Sequence, residues 1–488
     1  MKVTMLISLL IYAGSLQAET MGDKNLEFCH IDGHSQEVLC GTHEVPENPE
    51  DPEGRKITIS FAIVPSVSEA KEPDPLVFFA GGPGQSARQS VGFITRSMRQ
   101  VNETRDIVLI DQRGMGDSSP LACEFDEEEL VSLPQAELVA AQERLLNECL
   151  SELDADTKFY TQDYANQDIH EILMSLGYDK VNLFGASWGT RSALLYATRY
   201  PEHVRTVLMD GNAPLENKVP MYANADAQVA IEQLFKDCAA DPNCAKAFPN
   251  LEQDFYKVLS NLATGERKLN ITDPVSGKPI DVYMSRAVFV NILRNLLYAP
   301  AIARLVPLII EQAKDDNFNT LLTLSNSMGD GGMSIGASLT ILCSEEMARM
   351  TDLDIQEETT KGFVRDDMID LYKQSCKVWP KAPLPEIYSE QMGSAAPTLL
   401  LSGDIDPVTP PKWGEVMAQY MTNSKHLIAS NTGHNVSPVG CAPKLIAQFI
   451  NEGGHENIDG SCLKEVKRPT FFIDLNGPAI ASGRNDND

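Results

Sequence analysis

The sequence predicts an α/β fold, in which a mostly parallel β-sheet carries helices on both faces and a helical lid interrupts the sheet. Over residues 19–214, short apolar runs alternate with segments whose pattern predicts helices. The apolar runs, such as Leu76–Ala80, are typical of strands buried on both faces. From 215 to 396 the pattern is mainly helical, and an apolar strand run returns at Pro397–Ser402. Strands separated by helices form parallel sheets, so these observations favour one sheet with an insertion.

The length and charge of the chain narrow its class. At 488 residues with a formal net charge of −29, it can bury a large core and repels nucleic acid and anionic membrane surfaces. We therefore expect neither a nucleic-acid partner nor a membrane partner, and we expect a monomer. The excess of negative charge is interpreted as serving the solubility of the protein.

The N-terminal residues Met1–Ala18 predict a secretory signal peptide. One early lysine precedes an apolar run, and small residues stand before a cleavage site after Ala18. The apolar run is too short for a membrane span. We therefore expect a periplasmic or secreted protein.

At the other end of the chain, we expect residues 476–488 to be a flexible tail.

The ten cysteines fit that oxidising compartment. Zinc ligation is the alternative, but the chain lacks C-x-x-C spacing with nearby histidines. Connectivity does not follow from sequence, so pairing of neighbours is a hypothesis. It gives Cys29–Cys40, Cys123–Cys149, Cys238–Cys244, Cys343–Cys376 and Cys441–Cys462.

Periodicity predicts the individual elements. The remaining core strands are predicted at Lys56–Val64, Asp106–Asp111, Val181–Phe184, Val204–Met209 and Lys425–Ser430, with an edge strand at Thr470–Leu475. Helices are predicted at Phe125–Leu153, Asp163–Leu176, Ala225–Cys238, Leu251–Leu262, Ser285–Leu297, Ala301–Lys314 and Pro438–Asn451. The core is thus divided into 19–214 and 397–475, and the insertion at 215–396 occupies a place where a sheet can carry a lid. A separate binding domain is the alternative for this insertion.

A G-x-S-x-G motif at 185–189 lies between a predicted strand and a predicted helix. The turn between them forces Ser187 into a strained conformation, which requires Gly185 and Gly189 to be free of side chains. Such a turn holds a serine hydroxyl above the sheet edge, as a nucleophile requires. The alternative is a tight turn with an ordinary serine.

A glycine-rich turn, Gly-Gly-Pro-Gly at 81–84, directly follows the buried strand Leu76–Ala80. Backbone N–H groups of such a turn can form an oxyanion hole with the N–H of the residue after the nucleophile. Pro83 has no N–H, so we predict Gly82 and Trp188 as the donors. An ordinary loop is the alternative.

A serine nucleophile needs a base and a carboxylate that orients the base. Of the eight histidines, His434 lies on the turn after the last core strand, where the base is expected. Asp404 and Asp406 both lie after the preceding strand. Asp406 is preferred because Pro407 holds it in an extended conformation.

These motifs together resemble the serine aminopeptidases of the α/β-hydrolase superfamily, the proline iminopeptidase and tripeptidyl aminopeptidase family, and especially its secreted, disulfide-bearing branch. The resemblance rests on the sequences at 81–84, 111–114, 185–190, 406–410 and 433–434. It implies an α/β-hydrolase fold with a lid inserted before the strand that carries the catalytic acid. Ala80 departs from the histidine that usually precedes Gly-Gly-Pro-Gly in proline iminopeptidases.

The resemblance also implies cleavage at a free peptide N-terminus, with acidic lid residues holding the α-ammonium group. Glu345 and Glu346, beside Cys343, are the candidates, and two solvated glutamates are the alternative. The expected substrate is a peptide, and the expected mechanism uses Ser187, His434 and Asp406 without a metal or organic cofactor. A carboxylesterase or lipase is the alternative reaction, and a non-catalytic binding protein is the alternative from another class.

Overall fold

The computed structural model describes residues 26–478 except 124, 126–128, 131, 273–276 and 328–331. The predicted signal peptide Met1–Ala18 and the tail residues 479–488 lie outside the described residues. Within those residues no helix is long and apolar enough to cross a membrane.

A nine-stranded sheet organises the molecule, in the order β1-β2-β3-β5-β4-β6-β7-β10-β11. Its strands are β1 Glu27–Cys29, β2 Val38–Pro46, β3 Lys56–Val64, β4 Leu76–Phe79, β5 Ile107–Ile110, β6 Val181–Ala186, β7 Val204–Asp210, β10 Thr398–Gly403 and β11 Ser424–Ala429. Pairing is antiparallel from β1 to β5 and parallel from β5 through β11. The α/β-hydrolase fold predicted from the sequence is confirmed.

Helices cover both faces of this sheet. Outside the insertion they are α1 Val91–Ser97, α2 Arg99–Asn102, α3 Gln135–Glu152, α4 Gln162–Ser175, α5 Gly189–Arg199, α16 Pro411–Tyr420 and α17 Ala442–Glu452. One apolar core joins the sheet to α4 and α5, and a second joins the other face to α1 and α17. Because the central parallel strands are sealed on both sides, they can be continuously apolar.

The chain between β7 and β10 forms ten helices among its described residues. They are α6 Ala223–Ala240, α7 Pro242–Ala247, α8 Leu251–Ala263, α9 Arg286–Leu296, α10 Pro300–Ala303, α11 Val306–Ala313, α12 Asn319–Ser327, α13 Ile335–Ile341, α14 Asp352–Thr359 and α15 Asp367–Val378. A third apolar core is built mainly from these helices. The insertion therefore has packing of its own and does not depend only on the sheet.

Several elements differ from those predicted. The insertion, predicted to be mainly helical, also contains an antiparallel hairpin that was not predicted, β8 Arg267–Thr272 and β9 Pro279–Met284. The N-terminal strands β1 and β2 were also missed. Thr470–Leu475 is not an edge strand, and Asp474 forms only an isolated bridge with Gly477.

Five disulfides join the cysteines as neighbours along the chain, in the same pairs as the sequence hypothesis. They are Cys29–Cys40, Cys123–Cys149, Cys238–Cys244, Cys343–Cys376 and Cys441–Cys462. Disulfides persist in oxidising compartments, so this set indicates an extracytoplasmic protein.

Candidate active site

Ser187 lies in a left-handed turn between β6 and α5, with φ of 55°. A Cβ atom on Gly185 would lie 2.5 Å from the carbonyl oxygen of Gly189, and one on Gly189 would lie 1.9 Å from that of Phe79. Only glycine fits at these two positions, as the motif requires. The strain is held in place by the Ser187 N–H, which donates to the Asp210 carbonyl at 2.8 Å.

The glycine-rich loop after β4 lies against the Ser187 turn. A Cβ atom on Gly81 would lie 3.1 Å from the Ser187 Cβ. The N–H of Gly81 donates to the side chain of Gln85 at 3.3 Å, whereas Gly82 is exposed. Among the residues that the structure describes, the N–H groups of Gly82 and Trp188 donate to no protein acceptor. Both donors are therefore free for a ligand oxygen.

His434 and Asp406 form a hydrogen-bonded pair. Nδ1 of His434 lies 2.8 Å from Oδ2 of Asp406. Asp406 also accepts from the hydroxyl of Thr409 at 2.7 Å and from the N–H groups of Val408 and Thr409 at 2.8 and 2.9 Å. Four donors thus fix this buried carboxylate. Because Nδ1 of the imidazole faces the carboxylate, Nε2 faces away from it.

The pKa values of this pair move in opposite directions. Burial works against charge on both groups, but the attraction and hydrogen bond between them outweigh it. The pKa of Asp406 is therefore below its usual value, and the pKa of His434 is above its usual value. Asp406 stays ionised at neutral pH, as a residue that orients a base must.

Asp404, the alternative acid, does not contact His434. Its carboxylate accepts the Thr432 N–H at 3.3 Å and so braces the loop that precedes the histidine. Burial raises its pKa. The structure brings Asp406 to the histidine and leaves Asp404 in a supporting position.

Asp210, at the end of β7, was given no role from the sequence. Its fully buried carboxylate accepts the N–H groups of Val436 and Ser437 at 2.7 Å each, while its carbonyl accepts that of Ser187. One residue thus ties the Ser187 turn to the turn after His434. An acidic residue directly after the apolar run 207–209 was the signal that could have found it.

Ser187 and His434 line one cavity of about 1150 Å³. Gly81 and Gly82 line it on the core side, and residues 30–33 of the N-terminal disulfide loop form another wall. Tyr298 and Gly332 from the insertion also line it. A nucleophile candidate, a base candidate and the glycine-rich loop with the free Gly82 N–H therefore border a space large enough for a short peptide.

Glu345 and Glu346 are not brought to this cavity. Both are fully buried in a short π-helical turn, Leu342–Glu346, and neither lines the cavity. Glu346 is held by Arg191, Arg349 and the N–H of Val219. Because protein donors surround this carboxylate, it has no access to a substrate ammonium group.

Glu345 belongs to the same sealed network. It accepts the N–H of Gln162 at 2.8 Å and the hydroxyl of Tyr388. The pKa of Glu345 is raised to about 7, and burial is the largest cause of this shift. The Gln162 side chain accepts from the indole N–H of Trp188 at 3.2 Å, so the network supports the residue after Ser187 from beneath.

Asp111 and Arg113 brace the loops after β4 and β5. Asp111 accepts from Ser86 Oγ at 2.7 Å and from the Arg88 N–H at 3.0 Å, which fixes the end of the glycine-rich loop. Arg113 donates two hydrogen bonds to Asp168, at 2.7 and 2.8 Å. Within the described part of the chain, no cluster of three or more His, Cys, Asp or Glu side chains could hold a metal ion.

Comparison with known proteins agrees with the fold described above. A family model described as alpha/beta hydrolase fold matches residues 74–440. The chain is 26% identical over 454 residues to serine protease Hip1 of Mycobacterium tuberculosis, with 85% of each chain covered. It is 30% identical over 216 residues to tripeptidyl aminopeptidase of Streptomyces lividans, covering 41% of this chain and 40% of that protein. It is 31% identical over 146 residues to proline iminopeptidase of Neisseria gonorrhoeae, covering 29% and 34% respectively.

Proposed function

The chain belongs to the alpha/beta hydrolase fold family, and from that premise we propose that it is a serine aminopeptidase. It releases residues from the free N-terminus of peptides through an acyl-enzyme. The observation that carries the proposal is the shared cavity of Ser187 and His434, with Asp406 bonded to the far side of the imidazole. The names of the relatives support a peptide substrate over other hydrolase substrates.

In this mechanism Ser187 Oγ attacks the scissile carbonyl carbon while His434 accepts its proton. Asp406 keeps the imidazole in the required tautomer and stabilises its charged form. The N–H groups of Gly82 and Trp188 bind the oxyanion of the tetrahedral intermediate. His434 then protonates the leaving amine, and water hydrolyses the ester with His434 as the base.

The insertion at 215–396 acts as a lid in this proposal. Tyr298 and Gly332 bring it to the wall of the cavity. Ser334 N–H donates to the Gly84 carbonyl at 2.9 Å, so the insertion also contacts the loop that carries the oxyanion donor. A lid in this place limits the length of peptide that can enter. The five disulfides and the N-terminal sequence support a secreted or periplasmic location.

Peptide substrates with free and blocked N-termini test this proposal. Aminoacyl and tripeptidyl p-nitroanilides are compared with their N-acetylated forms and with short acyl p-nitrophenyl esters, with S187A as the control. We expect hydrolysis of the free-amine substrates, a large loss of kcat/KM on acetylation, and no activity in S187A. Indifference to acetylation together with much faster ester hydrolysis would identify an esterase instead.

A further inference from the structure

Tyr298 is the point at which the insertion contacts His434 directly. It lies between α9 and α10, and its carbonyl accepts the His434 backbone N–H at 2.8 Å. Its ring packs edge-on against the imidazole, with 5.1 Å between centroids and 68° between planes. The same ring lines the cavity that contains Ser187. One residue thus contacts both the backbone and the side chain of the base.

The loop before the histidine is fitted closely to this tyrosine. A Cβ atom on Gly433 would lie 2.2 Å from the Tyr298 carbonyl oxygen and 3.0 Å from the Pro300 side chain. Only glycine therefore permits the approach. The backbones of the insertion and the core are thus in close contact here. A displacement of Tyr298 would therefore also displace the loop that carries His434.

Arg294, one turn earlier on α9, supports Tyr298. Its guanidinium carbon lies 5.6 Å from the centroid of the Tyr298 ring, in a cation–π arrangement. The side chain is buried, and its Nε has no hydrogen-bond partner among the described residues. An unpaired donor on a buried cation is costly, so the packing of the guanidinium against the Tyr298 ring is a contact that favours this position.

Charged groups from three elements act on the imidazole of His434. Asp406, after β10, and Asp210, at the end of β7, both favour its protonated form. Arg294, from the insertion, disfavours it. Tyr372 also lies beside Arg294, and burial raises the pKa of its hydroxyl, so it adds no charge there at neutral pH. Arg294 is therefore the cation that opposes two carboxylates at the base.

We propose that Tyr298, supported by Arg294, is the positioning residue through which the insertion holds the imidazole of His434 towards Ser187. The proposal rests on the proposed function, in which His434 is the base. The ring blocks one side of the imidazole, and the carbonyl fixes the backbone beneath it. Arg294 keeps more of the base in its neutral, reactive form at neutral pH.

Four variants test this proposal. Removing the ring in Y298A should lower kcat by about 10- to 100-fold with a much smaller change in KM, because misplacing a base by about 1 Å has an effect of this size. Y298F keeps the ring and should recover most of kcat. R294M removes the opposing positive charge and should move the acid limb of the kcat/KM–pH profile to higher pH. R294K keeps the charge and should leave that limb in place.

Y256A provides a matched control, because Tyr256 is an exposed tyrosine of α8 that does not line the cavity. A kcat for Y298A equal to that of Y256A, or a rise in KM alone, would overturn the positioning role. If Y298A does not fold, as judged by circular dichroism, Y298L is measured in its place, and a kcat equal to that of Y256A refutes the positioning role. Activity that persists in S187A would instead refute the proposed function, so the two failures are distinct.

Discussion

Two buried ion pairs flank the Ser187 turn, and they differ in what surrounds them. Asp406–His434 lies above the turn, with side-chain exposures of 0% and 6%. Glu346–Arg191 lies beneath it, with 0% for both. Each is a carboxylate with a cationic or basic partner on an element adjacent to Ser187. By burial and pairing alone, both are candidates for chemistry.

Access to the cavity separates the two pairs. His434 lines the cavity, so its second ring nitrogen is available to a substrate or to Ser187. The guanidinium of Arg191 instead donates to the carbonyls of Ala213, Pro214 and Asn217, and its face covers the Trp188 ring at 4.3 Å. Every side of that pair is protein. A sealed ion pair ties elements together, whereas a pair with one open face can transfer a proton.

The largest expected difference between the pairs is in catalysis. Asp406→Asn should keep the contacts with the Val408 and Thr409 N–H groups but turn an amide donor towards His434, which favours the wrong tautomer. We expect kcat to fall by about 10,000-fold, in line with the effect of this change in other Ser-His-Asp enzymes. Steady-state kinetics with a p-nitroanilide substrate measure the loss. A fall of less than tenfold would remove Asp406 from the mechanism.

The sealed pair should show the opposite balance. Glu346→Gln leaves Arg191 and Arg349 without their buried counter-charge, which we expect to cost about 3–5 kcal/mol of unfolding free energy. Denaturant unfolding with the disulfides intact measures this loss. D406N serves as the comparison, since its main defect is in turnover. Equal stability of E346Q and the wild type, with activity lost, would assign Glu346 to the chemistry after all.

Glu345 should reveal its burial through pH. Its pKa in the folded protein is raised from 4.5 to about 7, so folding favours the protonated form. That contribution to stability is complete below pH 4.5 and is lost as pH rises through 7. The glutamine of E345Q cannot ionise. As the pH rises from 4.5 to about 8, the unfolding free energy of E345Q should therefore come to exceed that of the wild type by up to about 3 kcal/mol. Parallel stability curves of the two proteins over this range would contradict the placement of Glu345.

The smallest effect is expected at Asp404, the alternative acid. Asp404→Asn removes charge from a residue that accepts the Thr432 N–H but does not contact His434. We expect unfolding free energy to change by less than about 1 kcal/mol, since the weaker hydrogen bond is offset by removal of a charge that burial disfavours. Its kcat should stay far above that of D406N. A loss of kcat as large as that of D406N would reverse the choice between the two carboxylates.

Local rules explain which parts of the molecule the sequence could predict. The glycines at 185 and 189 are required by the turn itself, and their role follows from spacing alone. The strands β4 and β5 are continuous apolar runs, and β6, β7 and β10 are largely apolar, because both faces are covered. The position of His434 after the last core strand followed from the order of elements. These features depend on contacts close in the chain or on one layer of packing.

The missed features depend on contacts between distant segments. Burial of Glu345 and Glu346 follows from Arg191 and Tyr388, which are far away in sequence. A charged Glu-Glu pair reads as solvent-exposed until those partners are known. The β8–β9 hairpin was missed because in β8 the half-buried Leu269 and Ile271 alternate with exposed polar residues, without the apolar run of a core strand. Asp210 and Tyr298 contact the His434 loop from segments distant in sequence, so spacing along the chain does not predict these contacts.

Active-site labelling tests the central claim, that Ser187 is a nucleophile activated by His434, most directly. The wild type, S187A and D406N are treated with a fluorophosphonate probe, and the labelled residue is mapped by mass spectrometry. We predict stoichiometric modification at Ser187 in the wild type, none in S187A, and much slower labelling in D406N. A folded wild-type protein that stays unlabelled, or carries the label on another residue, would contradict the account.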